Sequence, residues 1–298
     1  MRTAFIEQLI IEARKNDKIL LLVGDLGFSV VEPFEKEFPN RYINVGICEQ
    51  NMAGIAGGLA MNGYIVYCYS IGNFPTLRCI EQIRNDIVYY KSNVRIVSVG
   101  AGYAYGSQGV SHHATEDIGM LRTLPDMVVC SPSDPEEAKM LTSLSVSYQG
   151  PMYIRLGKAG ETVFHSKQIS NYSIGDLLPI KVSDNSKTVI LASGSVLKYA
   201  EDGISHGLNY DLYTIPVIKP INKEQLCAIA VRYEQIIVLE EHQKSCGVGS
   251  AVIEQLSDAY SEGSIKRFPK VLRKGINDIF YSVVGNQDYL CKLAGLRF

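Results

Sequence analysis

The chain has little net charge of either sign. Its 298 residues carry 29 Lys and Arg against 31 Asp and Glu, a net charge of −2. That balance gives no electrostatic footprint for nucleic acid or an anionic membrane surface. Long apolar runs are missing too. Stretches such as Ile19–Val23 have the length of a strand, far short of the ~20 residues a membrane-crossing helix needs. The opening Met1-Arg2-Thr3-Ala4-Phe5-Ile6-Glu7 lacks the apolar centre of a signal peptide. The seven cysteines are odd in number, scattered, and never spaced as Cys-x-x-Cys. They read as reduced core thiols, which points to a cytoplasmic protein and away from a disulfide or zinc framework. His165, His206 and His242 fall at no metal-ligand spacing, so no protein-built metal site is expected. No internal repeat or low-complexity segment occurs.

What is present is alternation. Apolar strand-length runs at 19–23, 65–69, 94–99, 127–130 and 152–156 are separated by helical patterns at 3–15, 49–62, 75–91 and 134–148. Unbroken apolar strands alternating with helices predict an α/β fold whose mostly parallel sheet is covered on both faces. Pro135 after Ser133-Asp134 marks Asp134 as a helix N-cap. A polar stretch at 159–187 predicts a linker between a first domain, 1–158, and a second αβ series, 188–298.

Four segments contain residue types that carry chemistry. In Gly46-Ile47-Cys48-Glu49-Gln50-Asn51 one acid, Glu49, opens a helix that is otherwise small and apolar. It is either a glutamate held by the helix dipole or an unpaired-looking buried acid, which costs free energy and is rarely kept without a chemical use. Asp25 and Ser29 follow the first strand, where open α/β sheets place ligands. Ser70-Ile71-Gly72-Asn73-Phe74 leads into a helical pattern with Arg78 and Gln82. The glycine-rich loop from Gly100 to His113 follows a strand, but its spacing and the lack of an immediate helix argue against a dinucleotide site. Adjacent side chains on an irregular loop diverge, so only one of His112 and His113 is expected to face a ligand.

Over 24–158, most distinctly from Arg41 to Ala60, and more weakly around Val238–His242 and Gly247–Ala251, the chain resembles the transketolase-like enzymes that depend on thiamine diphosphate. The resemblance implies a pyrimidine-binding domain followed by a transketolase C-terminal domain. It implies that Glu49 hydrogen-bonds N1′ of the cofactor's aminopyrimidine, so that the cofactor's own amino group can take the C2 proton. It implies an aromatic residue stacked on that ring, with Phe74 the first candidate and Ile71 or Tyr69 the alternatives. Asp25 would lie near the thiazolium and His112 near the reacting carbon. Arg2, Ser29, Gln108 and Lys158 would line the substrate channel, with Lys158 standing where the family has an arginine.

Set against that family, an absence becomes informative. The Gly-Asp-Gly…Asn pattern that holds the diphosphate and Mg²⁺ does not occur, and Gly24-Asp25-Leu26-Gly27 is a different motif. The resemblance therefore implies the C-terminal half of a split transketolase. A partner chain would carry the metal site, and the expected assembly is α2β2. The reaction implied is transfer of a two-carbon ketol unit from a ketose or ketose phosphate to an aldose. Rival readings are the β subunit of a 2-oxoacid dehydrogenase decarboxylase, a deoxyxylulose phosphate synthase-like enzyme, and an inert assembly subunit. Gln108 and Gly100 stand where the family has an Asp and a His, which implies an acceptor other than an ordinary pentose phosphate.

Overall fold

Two sheets form because the apolar runs bury both faces. The computed structural model describes residues 1–298. In the first half lie β1 (Ile19–Val23), β2 (Tyr42–Asn44), β3 (Ile65–Ile71), β4 (Val94–Val99), β5 (Val128–Cys130) and β6 (Met152–Leu156). The second half adds β7 (Leu178–Lys181), β8 (Thr188–Ser193), β9 (Asp211–Thr214), β10 (Val217–Lys219), β11 (Gln235–Gln243) and β12 (Lys270–Ile276). The first sheet has the order β10-β5-β6-β4-β3-β1-β2 and the second β12-β11-β8-β9-β7. Only β10 and β7, each at an edge, run antiparallel. Every residue of β1, β4, β5 and β6 is buried, as continuous apolar strands of a covered parallel sheet should be. No helix is long and apolar enough to cross a membrane.

Three features differ from the sequence reading. The segment 159–187 contains β7, whose residues alternate between half-buried and exposed. With Pro179 inside it and so short an alternation, it is an edge strand that carries little pattern. The second is β10, which leaves the second unit and pairs with β5 of the first, Val217 opposite Cys130. The units are thus interlocked, and a cluster of 37 buried apolar residues runs from Leu20 in one to Ile265 in the other.

A third difference bears on the site. The expected helix 75–91 is a 3-10 turn (Leu77–Cys79), a short α turn (Ile80–Gln82) and a π-helical turn (Ile83–Val88). Its packing explains one glycine of the helix Glu49–Met61. A Cβ on Gly57 would stand 2.6 Å from the Asp86 carbonyl oxygen. The widened π turn therefore lies directly on that helix, which holds Arg78 beside Glu49. π-turns of this kind often mark functional sites.

In the first sheet β1 is followed by β2 on one side and by β3 on the other. The crevice outside the carboxyl ends of β1 and β3 is the topological switch point, where ligands of such sheets bind. The loops beginning at Gly24 and Gly72 flank it.

Candidate functional site

Glu49 sits at the first position of its helix and is 1% exposed. It is not unpaired, as the sequence suggested. Ser70 Oγ donates to its Oε1 at 3.1 Å and Arg78 Nη1 to its Oε2 at 2.7 Å. Gly24 closes the third side: a Cβ there would lie 3.4 Å from Oε1. The two partners differ in kind. Ser70 is fully buried on β3, whereas the Arg78 side chain is 45% exposed. The Arg78 guanidinium also lies over the Phe74 ring, 4.7 Å from its centroid. A flat cation thus bridges a buried carboxylate and an aromatic face.

Phe74 meets His112 edge-on, with ring centroids 5.2 Å apart. The loop is braced beneath them. Ser98 Oγ donates to the Gly72 carbonyl at 2.7 Å, and Asn73 Nδ2 donates to the His113 carbonyl. The two histidines diverge. His112 is half-buried, with Nδ1 3.1 Å from Ser111 Oγ. His113 is buried against Tyr103, centroids 4.9 Å apart, and burial lowers its pKa.

Strand alternation sorts the remaining candidates. Ser70 faces Glu49, so Tyr69 and Ile71 face the opposite side of the sheet. There Tyr69, Ile71, Val99, Arg2, Phe28 and Tyr105 line a cavity of about 350 Å³. Tyr69 packs on Phe5. The structure therefore brings Phe74, not Ile71 or Tyr69, against the Arg78 guanidinium that pairs with Glu49. Asp25 is exposed with a left-handed backbone, and Asn44 Nδ2 donates to it at 2.9 Å. Ser29 is exposed, and its N–H donates to Glu32 Oε1 at 2.6 Å, which puts a carboxylate beside it. Lys158 is exposed, with Nζ 4.8 Å from the Tyr105 ring centroid. Gln108 is exposed in the 3-10 turn Gly106–Gln108.

The glycine-rich loop is fixed from the second unit. Tyr103 N–H donates to Glu241 Oε1 at 2.8 Å, and Gly102, at φ +58°, passes so close that a side chain would overlap the Glu241 carboxylate. Arg155, fully buried, donates to Asp117 at 2.7 Å and to the Glu241 carbonyl at 3.0 Å. His242 is buried at the same interface, accepting from Gly119 N–H at 3.2 Å.

Away from the crevice, the fold assembles Asp134, Glu137 and His165, a grouping that linear spacing concealed. Asp134 caps its helix by accepting from Glu137 N–H, and its other oxygen takes the N–H groups of Phe164 and His165 and faces His165 Nδ1 at 3.1 Å. With those oxygens already engaged, the group serves to cap the helix and pin the 159–177 segment.

Sequence reasoning missed Arg78 as the partner of Glu49, and it missed Tyr105. No linear spacing pairs Arg78 with Glu49, since the two meet only when the loop after β3 folds over the helix.

Residues 1–160 match the family model of the transketolase pyrimidine binding domain, and residues 180–284 that of the transketolase C-terminal domain. A putative transketolase C-terminal section from Methanocaldococcus jannaschii is 35% identical over 301 residues, covering 99% of this chain and 92% of the relative. A subunit of apulose-4-phosphate transketolase from Phocaeicola vulgatus is 30% identical over 300 residues, covering 98% of this chain and 96% of the relative. Among solved structures, a split gene transketolase described as an inactive β4 tetramer superposes with a TM-score of 0.85 at 33% identity, covering 99% of this chain and 93% of that one. The transketolase of Leishmania mexicana shares the fold at 19% identity, TM-score 0.80, with this chain covered over 99% and spanning 43% of that one. A buried acid at the switch point, both domain matches and end-to-end likeness to separate C-terminal sections lead to one conclusion: the chain belongs to the transketolase family, as the C-terminal half of a split transketolase.

Proposed function

We propose that this chain is the cofactor-activating subunit of a two-chain enzyme that moves a two-carbon ketol unit from a ketose donor to an aldose acceptor. The observation that carries the reading is the frame around Arg78: a buried carboxylate at one edge and an aromatic face beneath. An aminopyrimidine offers the same chemistry, a flat ring with a nitrogen at its edge for a carboxyl group to engage. The residues present therefore fit the pyrimidine half of thiamine diphosphate. They do not include the Gly-Asp-Gly pattern for its diphosphate or for Mg²⁺, so both belong to a partner chain in an α2β2 assembly.

When bound, the cofactor supplies the carbon that carries the two-carbon unit. Glu49 engages the pyrimidine nitrogen and sets its protonation, and Ser70 keeps the carboxylate aimed. Phe74 supports the ring, and Arg78 gives up its place. Asp25, on the loop after β1, would lie toward the thiazolium ring of the cofactor. His112, held edge-on by Phe74, would meet the reacting groups of the sugar. Arg2, Lys158 and Gln108 belong to the sugar channel, and Ser29 lies at its rim beside Glu32. The absence of a carboxylate at position 108 favours an acceptor other than an ordinary pentose phosphate, and ribose 5-phosphate turnover at the usual enzyme efficiency, about 10⁴ M⁻¹s⁻¹ or above, contradicts that point.

Titrating thiamine diphosphate and Mg²⁺ into the purified chain by calorimetry tests the two-chain reading. Binding is expected only with a partner carrying the missing motif. Micromolar affinity in the chain alone contradicts it.

A further inference from the structure

The cavity lined by Arg2, Phe28, Ile71 and Tyr105 contains a substitution that no linear comparison shows. Gly100 has φ +102°, and a side chain there would overlap the Tyr105 ring. The space that a residue at 100 would fill is filled from five positions further on. Tyr105 is half-buried, with Lys158 Nζ 4.8 Å from its ring centroid and the His112 ring 6.4 Å away. The Arg2 charge opposes the burial that raises the Tyr105 pKa. The phenol therefore stays protonated near neutrality and can donate. Arg2 Nε is buried without a hydrogen-bond partner, a strong donor left with nothing to bind. The cavity lining contains no carboxylate, and Glu32 and Glu161 hold Ser29 N–H and the Met1 amino group, the latter at 2.6 Å.

We propose that Tyr105 is a specificity-determining residue of the sugar channel, its hydroxyl acting with Arg2 and Lys158 to seat the tetrahedral oxyanion at the far end of the substrate. This rests on the transketolase reading but goes beyond it. The family resemblance supplied cations, and the structure adds a phenol that takes over the space and the hydrogen-bonding capacity lost at Gly100. Phosphate esters and sulfonates share the recognised chemistry, three outward oxygens on a tetrahedral centre, and differ in charge.

The test uses the reconstituted complex and Tyr105→Phe, which keeps the ring and removes the hydroxyl. A phosphorylated ketose and the same ketose without phosphate are compared as donors. The ratio of their kcat/KM values is expected to fall about tenfold in the variant, the size of a hydrogen bond to a charged group. Inorganic phosphate and methanesulfonate are then titrated by calorimetry, and both should bind more weakly to the variant by a similar factor. The anion held more tightly by the unaltered complex identifies the tail. Arg2→Gln should lower the same ratio, which guards against a folding defect peculiar to position 105. An unchanged ratio with unchanged anion affinity overturns the proposal, as does an equal loss on both donors, which would make Tyr105 structural. If the unaltered complex turns over neither ketose, the transketolase reading fails, and the anion titration still decides the role of Tyr105.

Discussion

Glu49 and Glu241 are both at most 2% exposed, and they are held in opposite ways. Glu241 accepts from Tyr103 N–H and from Gln287 Nε2, and it also has Ser195 Oγ and Cys291 Sγ within reach. Tyr103 and Cys291 are buried and Gln287 and Ser195 half-buried, and together they lock the glycine-rich loop to the second unit. Burial nevertheless raises the Glu241 pKa. Glu49 has one fixed partner, Ser70, and one on a half-exposed arm, Arg78. A carboxylate with saturated, immobile donors builds structure. One whose main partner can swing into solvent is free to accept a ligand in its place. Burial alone does not tell the two apart; the exposure of the partner does.

The largest effect should come from removing the charge at Glu49. Glu49→Gln in the reconstituted complex is expected to lower kcat by about 10²–10⁴, the range for a positioned acid–base group, with a smaller change in cofactor affinity. Steady-state kinetics and calorimetry together measure this. Glu241→Ala should instead destabilise the fold, because it strands the buried Tyr103 N–H; a loss of about 1–3 kcal/mol is expected from that group, read as a shift in the urea midpoint at constant slope. A large kcat loss with unchanged stability in that variant would erase the contrast.

Stability should also depend on pH through other buried acids. Burial, with Asp134 nearby, pushes the Glu137 carboxyl up to about 8, and burial pushes Glu240 up to about 7. The unfolded chain releases these protons near pH ~4.3, so between there and about 8 the native state binds more of them. Stability is then greatest at the acid side of that window and declines as pH rises through it. His165, also raised, adds to the same decline. Glu137→Gln should flatten the fall in melting temperature from about pH 5 to about pH 8; an equally steep curve in the variant contradicts the assignment.

The smallest effect concerns Arg78. An ion pair with one exposed partner is worth roughly 0.2–1 kcal/mol. Arg78→Ala should therefore tighten cofactor binding by the reconstituted complex about two- to fivefold, by removing the competitor for Glu49. Weaker binding would mean that Arg78 clamps the ring and does not yield to it.

Much of this architecture was legible beforehand because continuous apolar strands and capped helices follow local rules. The covered strands at 19–23, 94–99 and 152–156 and the Asp134 cap appear where the sequence puts them. What was not legible depends on tertiary contact. β10 pairs with a strand nearly ninety positions earlier, and β7 is too short and too exposed to carry a pattern. The π turn at 83–88 lies so close to Gly57 that its place depends on a contact between distant segments. At the site, Glu49, Phe74 and His112 entered as candidates through the family resemblance, with Ile71 and Tyr69 still open beside Phe74. The Arg78 bridge and the Tyr105-for-Gly100 exchange could not be named, since each joins residues whose side chains meet only after the loops fold.

The most direct test of the central claim is C2-proton exchange of bound thiamine diphosphate, followed by NMR in the reconstituted complex without substrate. Unaltered protein, Glu49→Gln and Glu241→Gln are compared at saturating cofactor. If Glu49 activates the cofactor, exchange slows about a hundredfold or more in Glu49→Gln and stays close to the unaltered rate in Glu241→Gln. An unchanged exchange rate in Glu49→Gln would contradict it.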